Sequence, residues 1–337
     1  MSRHASSAHY HPAHRWIEDK VPAMLTRRLG ASGLAVSRLG LGTMAWGTRT
    51  SPEDARDLLG LFRAAGGTLI DTAHGYAGGA SEELLGDLLQ GPDRDEVVIV
   101  TKSGISRATG TRVVDCSRRA MMHQLETSLR RLRTDHVDVW LAHSWDEHTP
   151  IEETVSALLW AVESGRARYV GVSNHVGWQA ARTMSLLTAS GVPLVANSVE
   201  YSLVARAPEH ELVDAGTALG FGLLPWSPLG RGVLAGRYRT TVAADSRLAS
   251  EEFGRFASKH VGEHTRGVVE AVRTAAAGLG VAPAVVALAW VRDRQAVAAP
   301  IIGPRTPTQL AALLESEDVD LPEQIVAALD EVSIEHT

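Results

Sequence analysis

The chain has 337 residues, of which 45% are hydrophobic and 21% charged, and its net charge is −6. This hydrophobic fraction excludes a disordered chain or a collagen-like repeat. The single cysteine excludes an intramolecular disulfide framework and fits a reducing compartment, so we expect a cytoplasmic protein. The sequence contains no basic run for a nucleic-acid partner and no apolar stretch of the ~18 residues that a membrane helix needs, so we expect neither partner.

The first residues of the chain differ from the rest. Residues 1–23 show no apolar period and carry four histidines, namely His4, His9, His11 and His14. The spacing of the last three could hold a metal ion, but a flexible tail is the simpler interpretation. We therefore expect no metal site, a tail over 1–23 and a single domain over 24–337.

Short apolar runs that favour β-strands alternate with helical patterns along the chain. The eight runs are Gly40–Gly42, Thr68–Ile70, Val97–Val100, Val137–Leu141, Tyr169–Val172, Leu194–Ala196, Phe221–Leu224 and Ala299–Ile302. Helix starts lie between them: Ser51 and Pro52 predict an N-cap and first helical residue, and Thr149–Glu152 reads as a capping box. Such alternation is typical of parallel β/α units with right-handed crossovers.

A doubly wound dinucleotide-binding sheet is the alternative to a closed barrel. That fold places G-x-G-x-x-G after its first strand, and the sequence has no such match: Gly40–Gly42 continues to Gly47, and Gly230–Gly232 to Gly236. We therefore expect an α/β protein with one (β/α)8 TIM barrel, a short N-terminal β-hairpin and C-terminal helices.

Three apolar runs end in ionisable residues, which are Asp71, Lys102 and His143. Because side chains alternate along a strand, Asp71 shares a face with Leu69. In the same way Lys102 shares a face with Val98 and Val100, and His143 with Val137, Val139 and Leu141. If that face is the barrel interior, all three converge on one rim, where Tyr76 follows on a loop. Singly, Asp71 could cap a turn, Lys102 could be solvated, and His143 and Tyr76 could be ordinary packed residues. Together they favour a catalytic site, because buried charges need partners.

Several motifs carry a resemblance to a known family. They are Asp71–Tyr76 with Gly79–Gly86, Val100–Lys102, Leu141–His143, Gly171–Asn174, Pro225–Gly230 and Ile301–Gly303. In this order they resemble the aldo-keto reductases over about residues 24–330. The resemblance implies a catalytic tetrad of Asp71, Tyr76, Lys102 and His143, with NADP(H) bound across the barrel rim.

The resemblance also implies the residues that contact the cofactor. They are Thr43, Asp71, Ser173, Asn174, Ser198, Trp226, Ser227, Leu229, Gly230, Gly232, Gly303, Arg305 and Gln309. Structural alternatives stay open for several of them: Asn174 in a turn, Trp226 as a packed aromatic, the glycines as plain loop residues, and Gln309 in a capping box with Thr306. Ser198 stands where the family usually has glutamine, and Leu313 where it commonly has asparagine.

The chemistry can be argued from the residue types. Hydride delivery to a carbonyl carbon leaves negative charge on oxygen, so an acid must donate a proton. A phenol with an ordinary pKa near ~10 is a weak donor, and we expect the Lys102 ammonium to lower the pKa of Tyr76. Asp71 would hold Lys102, and a neutral His143 would donate a hydrogen bond to the carbonyl oxygen.

Arg305 precedes a predicted helix start, which suits a 2′-phosphate and favours NADPH over NADH. Met44, Trp46 and Trp145 are candidates for an apolar substrate pocket, and Arg239–His264 reads as a long loop that would set specificity. The leading hypothesis is an NADPH-dependent reductase of small aldehydes or ketones. The alternative is a cofactor-binding regulatory or redox-sensing subunit with little turnover. The sequence does not determine the oligomeric state.

Overall fold

The structure is a computed structural model that describes residues 24–106, 110–235 and 263–334. The predicted tail and its histidines lie outside these residues. So does most of the predicted loop at Arg239–His264. Its last two residues, Glu263 and His264, are helical, so the loop is shorter at this end than the sequence indicated.

Eight parallel strands form a closed barrel, as predicted. They are β3 (Gly40–Gly42), β4 (Leu69–Asp71), β5 (Val98–Ser103), β8 (Val137–Ala142), β9 (Ala167–Ser173), β10 (Leu194–Glu200), β11 (Gly222–Trp226) and β12 (Ile301–Ile302). The strands follow one another around the barrel in chain order, and β12 pairs with β3 through Ile301–Gly40 and Ile302–Leu41. A short antiparallel ribbon of β6 (Ile105–Ser106) and β7 (Val113–Val114) follows β5.

Helices connect the strands on the outside of the barrel. In the described residues they are α1 (Pro52–Ala64), α2 (Ala80–Leu88), α3 (Arg118–Leu132), α4 (Ile151–Glu163), α5 (Gly177–Thr188), α6 (Leu212–Leu219), α7 (Glu263–Leu279), α8 (Pro283–Arg292), α9 (Pro307–Leu314) and α10 (Glu323–Ser333). The predicted cap of α1 is confirmed, since the Ser51 side chain accepts from the Asp54 N–H. The predicted capping box of α4 is wrong: Pro150 is the N-cap, and the Thr149 hydroxyl donates to Asp146 instead.

The buried apolar residues that the structure describes form two clusters, an inner cluster inside the barrel and an outer cluster between the barrel and the helices. Leu69, Val100, Val139 and Leu141 lie in the inner cluster, as the alternation predicted. The expected N-terminal hairpin, β1 (Thr26–Arg28) with β2 (Ala35–Ser37), adds Leu29 and Val36 to it. Leu29 and Gly30 pack against Gly222, the first residue of β11. The hairpin therefore covers the amino-terminal end of the barrel, and the site lies at the opposite end.

The apolar stretch near residue 285 is the buried helix α8. Every residue of α8 from Val285 to Arg292 is buried. Among the described residues no single helix meets the length and hydropathy of a membrane span. The pair α7 and α8 meets them only jointly, across a bend of 101°.

Candidate active site

The ammonium of Lys102 is the centre of the site. Strand β5 carries it into the barrel mouth, where the side chain is 2% exposed. Its Nζ lies 2.6 Å from Asp71 Oδ2, 2.9 Å from the Thr72 carbonyl oxygen and 3.4 Å from the Tyr76 hydroxyl. The structure therefore brings together three of the four residues predicted to be catalytic, from β4, its following loop and β5.

These three contacts determine where the phenol proton points. An ammonium has three N–H donors and no acceptor, so each donor of Lys102 has one partner and the Tyr76 oxygen must accept. The phenol O–H cannot donate back to Lys102. Its proton is therefore available to an acceptor other than Lys102.

The pKa of Tyr76 differs from the expectation that Lys102 would lower it. Burial raises the pKa of Tyr76; Lys102 opposes this, as expected, but Asp71 adds to the rise, and the net direction is upward. Burial disfavours the ammonium of Lys102, but Asp71 and Tyr76 outweigh it, so the pKa of Lys102 is raised. Burial also raises the pKa of Asp71 against the pull of Lys102. Tyr76 is thus a protonated acid at neutral pH, beside a cation that would stabilise its phenolate.

His143 directly follows β8 and stands beside the phenol. The two rings are 6.0 Å apart in an edge-to-face arrangement. The backbone carbonyl of His143 accepts from Asn174 Nδ2 at 3.0 Å, and Asn174 Oδ1 accepts from the Trp226 indole at 3.1 Å. Asn174 therefore links the strand end that carries His143 to the strand end that carries Trp226.

Ser173 and Ser198 are nearly inaccessible at the ends of β9 and β10. The Ser173 hydroxyl donates to the Ser198 carbonyl oxygen at 2.9 Å and accepts from Asn174 Nδ2 at 3.0 Å. Asn174 is exposed and has a left-handed backbone, with φ of 58°. The turn that the sequence left open is therefore present, and it presents the Asn174 side chain at the rim.

The segment after β11 is a tight turn of left-handed residues. Ser227, Gly230, Arg231 and Gly232 all have positive φ, and a Cβ on Gly230 would come within 2.6 Å of a Val204 methyl carbon. Successive turns of this kind present backbone N–H groups to anions. Leu229, also predicted to contact the cofactor, is half-buried in this turn.

The side chain of Arg231 also belongs to this turn, and the sequence analysis did not identify it as part of the site. Its guanidinium lies 2.8 Å from a carboxylate oxygen of Glu200 and 5.3 Å from the centre of the Trp226 ring. Burial lowers the pKa of Arg231, and Glu200 opposes that change. The pattern Gly230–Gly232 drew attention to the glycines, and only the fold brings Glu200 of β10 to the arginine between them.

Arg305 is half-buried just before α9, and Gly303 beside it is exposed. The Arg305 backbone N–H donates to Gln309 Oε1 at 2.9 Å, while Thr306 Oγ1 accepts from the Gln309 N–H. The structural role predicted for Gln309 is therefore present, with Arg305 rather than Thr306 as the donor to its side chain. Leu313 is 8% exposed and packs in the outer cluster, between the barrel and the helices.

Thr43 and the three proposed pocket residues lie in different environments. The Thr43 hydroxyl is buried and contacts Ser81 Oγ at 2.7 Å. Met44 is 39% exposed, but Trp46 is fully buried and packs in the outer cluster. Trp145 is half-buried and stacks edge-to-face on Trp178, at 5.2 Å between ring centres.

Trp178 was also missed by the sequence analysis. It is 59% exposed at the start of α5, and its contact with Trp145 places it on the same rim as His143. Its position as the second residue of α5 gives no sequence signal of this exposure. The two indoles form an apolar surface beside the site.

His175 packs against this aromatic surface. Because it is buried, we expect the stability of the protein to depend on pH. His175 is 2% exposed, contacts the Ser173 carbonyl through Nδ1 at 3.0 Å and lies 5.4 Å from the Trp145 ring. Burial lowers its pKa to about 4. The unfolded chain therefore binds more protons between about pH 4 and the ordinary value near 6.5, and stability falls as the pH drops through this range.

We expect His175 to reduce the free energy of unfolding by about 2 kcal/mol between about pH 7 and about pH 5. Urea unfolding at the two pH values measures this loss. The variant His175→Asn should have a smaller loss by about that amount. An equal pH dependence in wild type and variant would contradict the assignment.

In residues 24–106, 110–235 and 263–334 no three His, Cys, Asp or Glu side chains are grouped to hold a metal ion. A protonated phenol, a cation behind it and a neighbouring imidazole suit proton donation to an oxygen that gains negative charge.

Known proteins are similar to this chain over most of its length. The family model described as aldo/keto reductase family matches residues 38–334. A probable voltage-gated potassium channel subunit beta of Oryza sativa subsp. japonica is 34% identical over 88% of this chain and 92% of its own length. A protein of the same description from Arabidopsis thaliana is 33% identical over 88% and 92%. The uncharacterized oxidoreductase YrpG of Bacillus subtilis (strain 168) is 32% identical over 90% and 94%.

Proposed function

We propose that this chain, which belongs to the aldo/keto reductase family, is an NADPH-dependent reductase that converts small aldehydes or ketones to alcohols. The family makes it an oxidoreductase that uses a nicotinamide cofactor. The choice of NADPH, the carbonyl substrate and the roles of the residues are our proposal. The single observation that carries it is the arrangement of Lys102, whose three N–H donors are all engaged and leave the Tyr76 proton to donate elsewhere.

In the proposed mechanism Tyr76 is the general acid. Its raised pKa keeps the phenol protonated before the reaction. As the carbonyl oxygen gains negative charge, the phenol proton passes to it. The Lys102 ammonium, held by Asp71, then lies 3.4 Å from the new phenolate and stabilises it. The cation thus acts mainly on the product of proton transfer, which lowers the barrier.

His143 is proposed to orient the carbonyl. Its ring lies edge-to-face against Tyr76, so an oxygen that accepts from the phenol can also approach the imidazole. The backbone of His143 is held by Asn174, which keeps this ring near the phenol. A neutral imidazole N–H would donate the second hydrogen bond to the carbonyl oxygen.

The residues of the rim fit a nicotinamide dinucleotide. When bound, the nicotinamide supplies the hydride. Ser173, Asn174 and Ser198 would hold its carboxamide, with Thr43 and Asp71 nearby, and Trp226 would pack on the ring. The left-handed turn at Ser227–Gly232, with Leu229, would admit the pyrophosphate to its backbone. Gly303, Arg305 and Gln309 would hold the adenosine part, at the N-terminus of α9.

The direct test is consumption of NADPH by the purified protein over a panel of aromatic and aliphatic aldehydes. We expect turnover well above that of Tyr76→Phe with at least one aldehyde. Met44, Trp145 and the missed Trp178 offer apolar surface, so aromatic aldehydes should have the lower KM. Equal rates for wild type and Tyr76→Phe with every aldehyde would contradict the proposed reaction.

Arg305 is expected to set the preference for NADPH. Arg305→Ala should weaken NADPH binding about 10-fold or more and NADH binding much less, because a guanidinium pairs with the phosphate that only NADPH carries. Fluorescence titration of both cofactors measures the two changes. Arg294→Ala is a matched control, because Arg294 pairs with Asp330 and stacks on Trp290 instead. Equal losses of NADPH and NADH affinity in Arg305→Ala would refute the role.

A cofactor-binding regulatory subunit is the second candidate. Two observations favour it: the probable channel beta subunits among the relatives, and the departures at Ser198 and Leu313. Leu313 packs in the core and offers no polar group to an adenine. A protein that binds NADPH tightly but reduces no aldehyde faster than Tyr76→Phe would support this candidate over the reductase.

A further inference from the structure

The loop that carries Tyr76 has an unfavourable backbone and needs support from outside itself. Ala77 and Gly78, directly after Tyr76, have φ of 50° and 66°. For alanine this left-handed conformation is unfavourable, because its Cβ crowds the following carbonyl oxygen. A loop of this kind persists only where its surroundings hold it, so the position of the phenol depends on contacts of the loop.

Arg131 of α3 supplies these contacts. Its Nη1 donates to the His74 carbonyl oxygen at 3.0 Å, and its Nη2 lies 3.5 Å from the Gly78 carbonyl oxygen. The guanidinium therefore reaches the loop on both sides of Tyr76. It also fills the space beside Gly79, where a Cβ would lie 2.3 Å from Arg131 Cζ.

Glu82 connects this arginine to the strand that carries Lys102. It is 0% exposed in α2, and its Oε2 lies 3.2 Å from Arg131 Nη1. Its other oxygen accepts from the Thr101 hydroxyl at 2.7 Å, and Thr101 directly precedes Lys102 in β5. One buried carboxylate thus contacts both the support of the phenol loop and the strand of the ammonium.

His74 completes the set as a neutral acceptor. Its Nδ1 lies 3.3 Å from Arg131 Nη1, and burial, together with the charges of Arg131 and His123, lowers its pKa to about 4. At neutral pH the imidazole carries no charge, so it does not repel the guanidinium. The loop therefore offers Arg131 carbonyl and imidazole acceptors only.

We infer that Arg131 and Glu82 are positioning residues that hold Tyr76 at hydrogen-bond distance from Lys102. The inference rests on the proposed function, because it assigns them to the proton transfer. Their hydrogen bonds go to His74, Gly78 and Thr101, which are chain neighbours of Tyr76 and Lys102, so both residues act through the backbone that carries the phenol and the ammonium. Losing the arginine should let the loop move, and a displacement of about 1 Å can lower a rate about 10²-fold.

The test compares Arg131→Ala with Arg133→Ala. Arg133 pairs with Asp87 and so also connects α3 to α2, but at the surface, away from the loop. Arg131→Ala should lower kcat for an aldehyde about 10²-fold, with the aldehyde KM and the NADPH Kd within about twofold of wild type. Arg133→Ala should keep the wild-type kcat. Guanidinium ion at millimolar concentration should restore part of the kcat of Arg131→Ala, and ammonium ion at the same concentration should not.

A second variant covers the case in which Arg131→Ala does not fold. Arg131→Lys keeps a cation beside Glu82, but one ammonium cannot reach the carbonyls on both sides of Tyr76. It should fold and retain NADPH binding, with kcat lowered at least about 10-fold.

Several outcomes would overturn the inference: wild-type kcat in Arg131→Lys, an equal loss of kcat in Arg133→Ala, or no rescue of Arg131→Ala by guanidinium ion. If wild type reduces the aldehyde and the Arg131 variants do so equally fast, only the inference about Arg131 is rejected and the proposed function stands. Wild type that is no faster than Tyr76→Phe rejects the proposed function and the inference with it.

Discussion

Tyr76→Phe is expected to lower kcat for aldehyde reduction by about 10²–10⁴-fold, the usual effect of removing a general acid. The substitution removes the hydroxyl that accepts from Lys102 and carries the proton to be donated, and it keeps the ring that packs against His143. The NADPH Kd should stay within about twofold, because the hydroxyl is not among the proposed cofactor contacts. Steady-state kinetics and a fluorescence titration measure the two quantities.

The control for this experiment is Tyr169→Phe. Tyr169 packs on the inner cluster and lies on β9 toward the amino-terminal end, where the hairpin covers the barrel. It should retain the kcat of wild type.

Because the pKa of Tyr76 is raised, the kcat of wild type should not decline through loss of the phenol proton between about pH 7 and about pH 9. Wild-type turnover in Tyr76→Phe would remove this residue from the mechanism.

Lys102→Met is expected to lower the free energy of unfolding by about 3–5 kcal/mol. Asp71 and Lys102 are both nearly inaccessible, with side chains 5% and 2% exposed, and their charged atoms are 2.6 Å apart. Removing one partner leaves a buried carboxylate without its counter-charge, which costs more than the intact pair contributes. Urea unfolding at neutral pH measures the loss.

A double variant separates the charge effect from the loss of packing. Lys102→Met with Asp71→Leu leaves no charge at either position, and leucine has the branched shape of aspartate. It should be more stable than Lys102→Met by about 2 kcal/mol or more. The exposed pair Arg182–Glu152 is the control: Arg182→Met should cost less than about 1 kcal/mol. If the double variant were less stable than Lys102→Met, the unpaired charge would not be the cause of the loss.

Much of the barrel and the site was accessible from the sequence. The alternation of apolar runs and helical patterns predicted eight parallel strands, and the period of two placed Leu69, Val100 and Val139 inside. The same period placed Asp71 and Lys102 on the inner face, and the structure joins them. These predictions succeeded because strand geometry alone determines which residues share a face.

Other features depended on contacts between distant segments. The capping box at Thr149 failed because Asp146 takes the threonine hydroxyl. Trp46 was a pocket candidate by its place in the sequence, but the fold buries it completely. Neither outcome follows from local sequence, because each depends on which side chain reaches a given atom in three dimensions.

By itself, the sequence determined the eightfold β/α alternation, the inner face of each strand and the ionisable residues at the strand ends, since these follow from local periodicity. Only the tertiary structure decided that Lys102 has three acceptors and that Arg131 and Glu82 support the phenol loop. It also decided that burial raises the pKa of Tyr76 more than the charge of Lys102 lowers it. The reason is physical: desolvation and hydrogen-bond geometry depend on atoms brought together from separate strands and helices, and periodicity along the chain does not specify those distances.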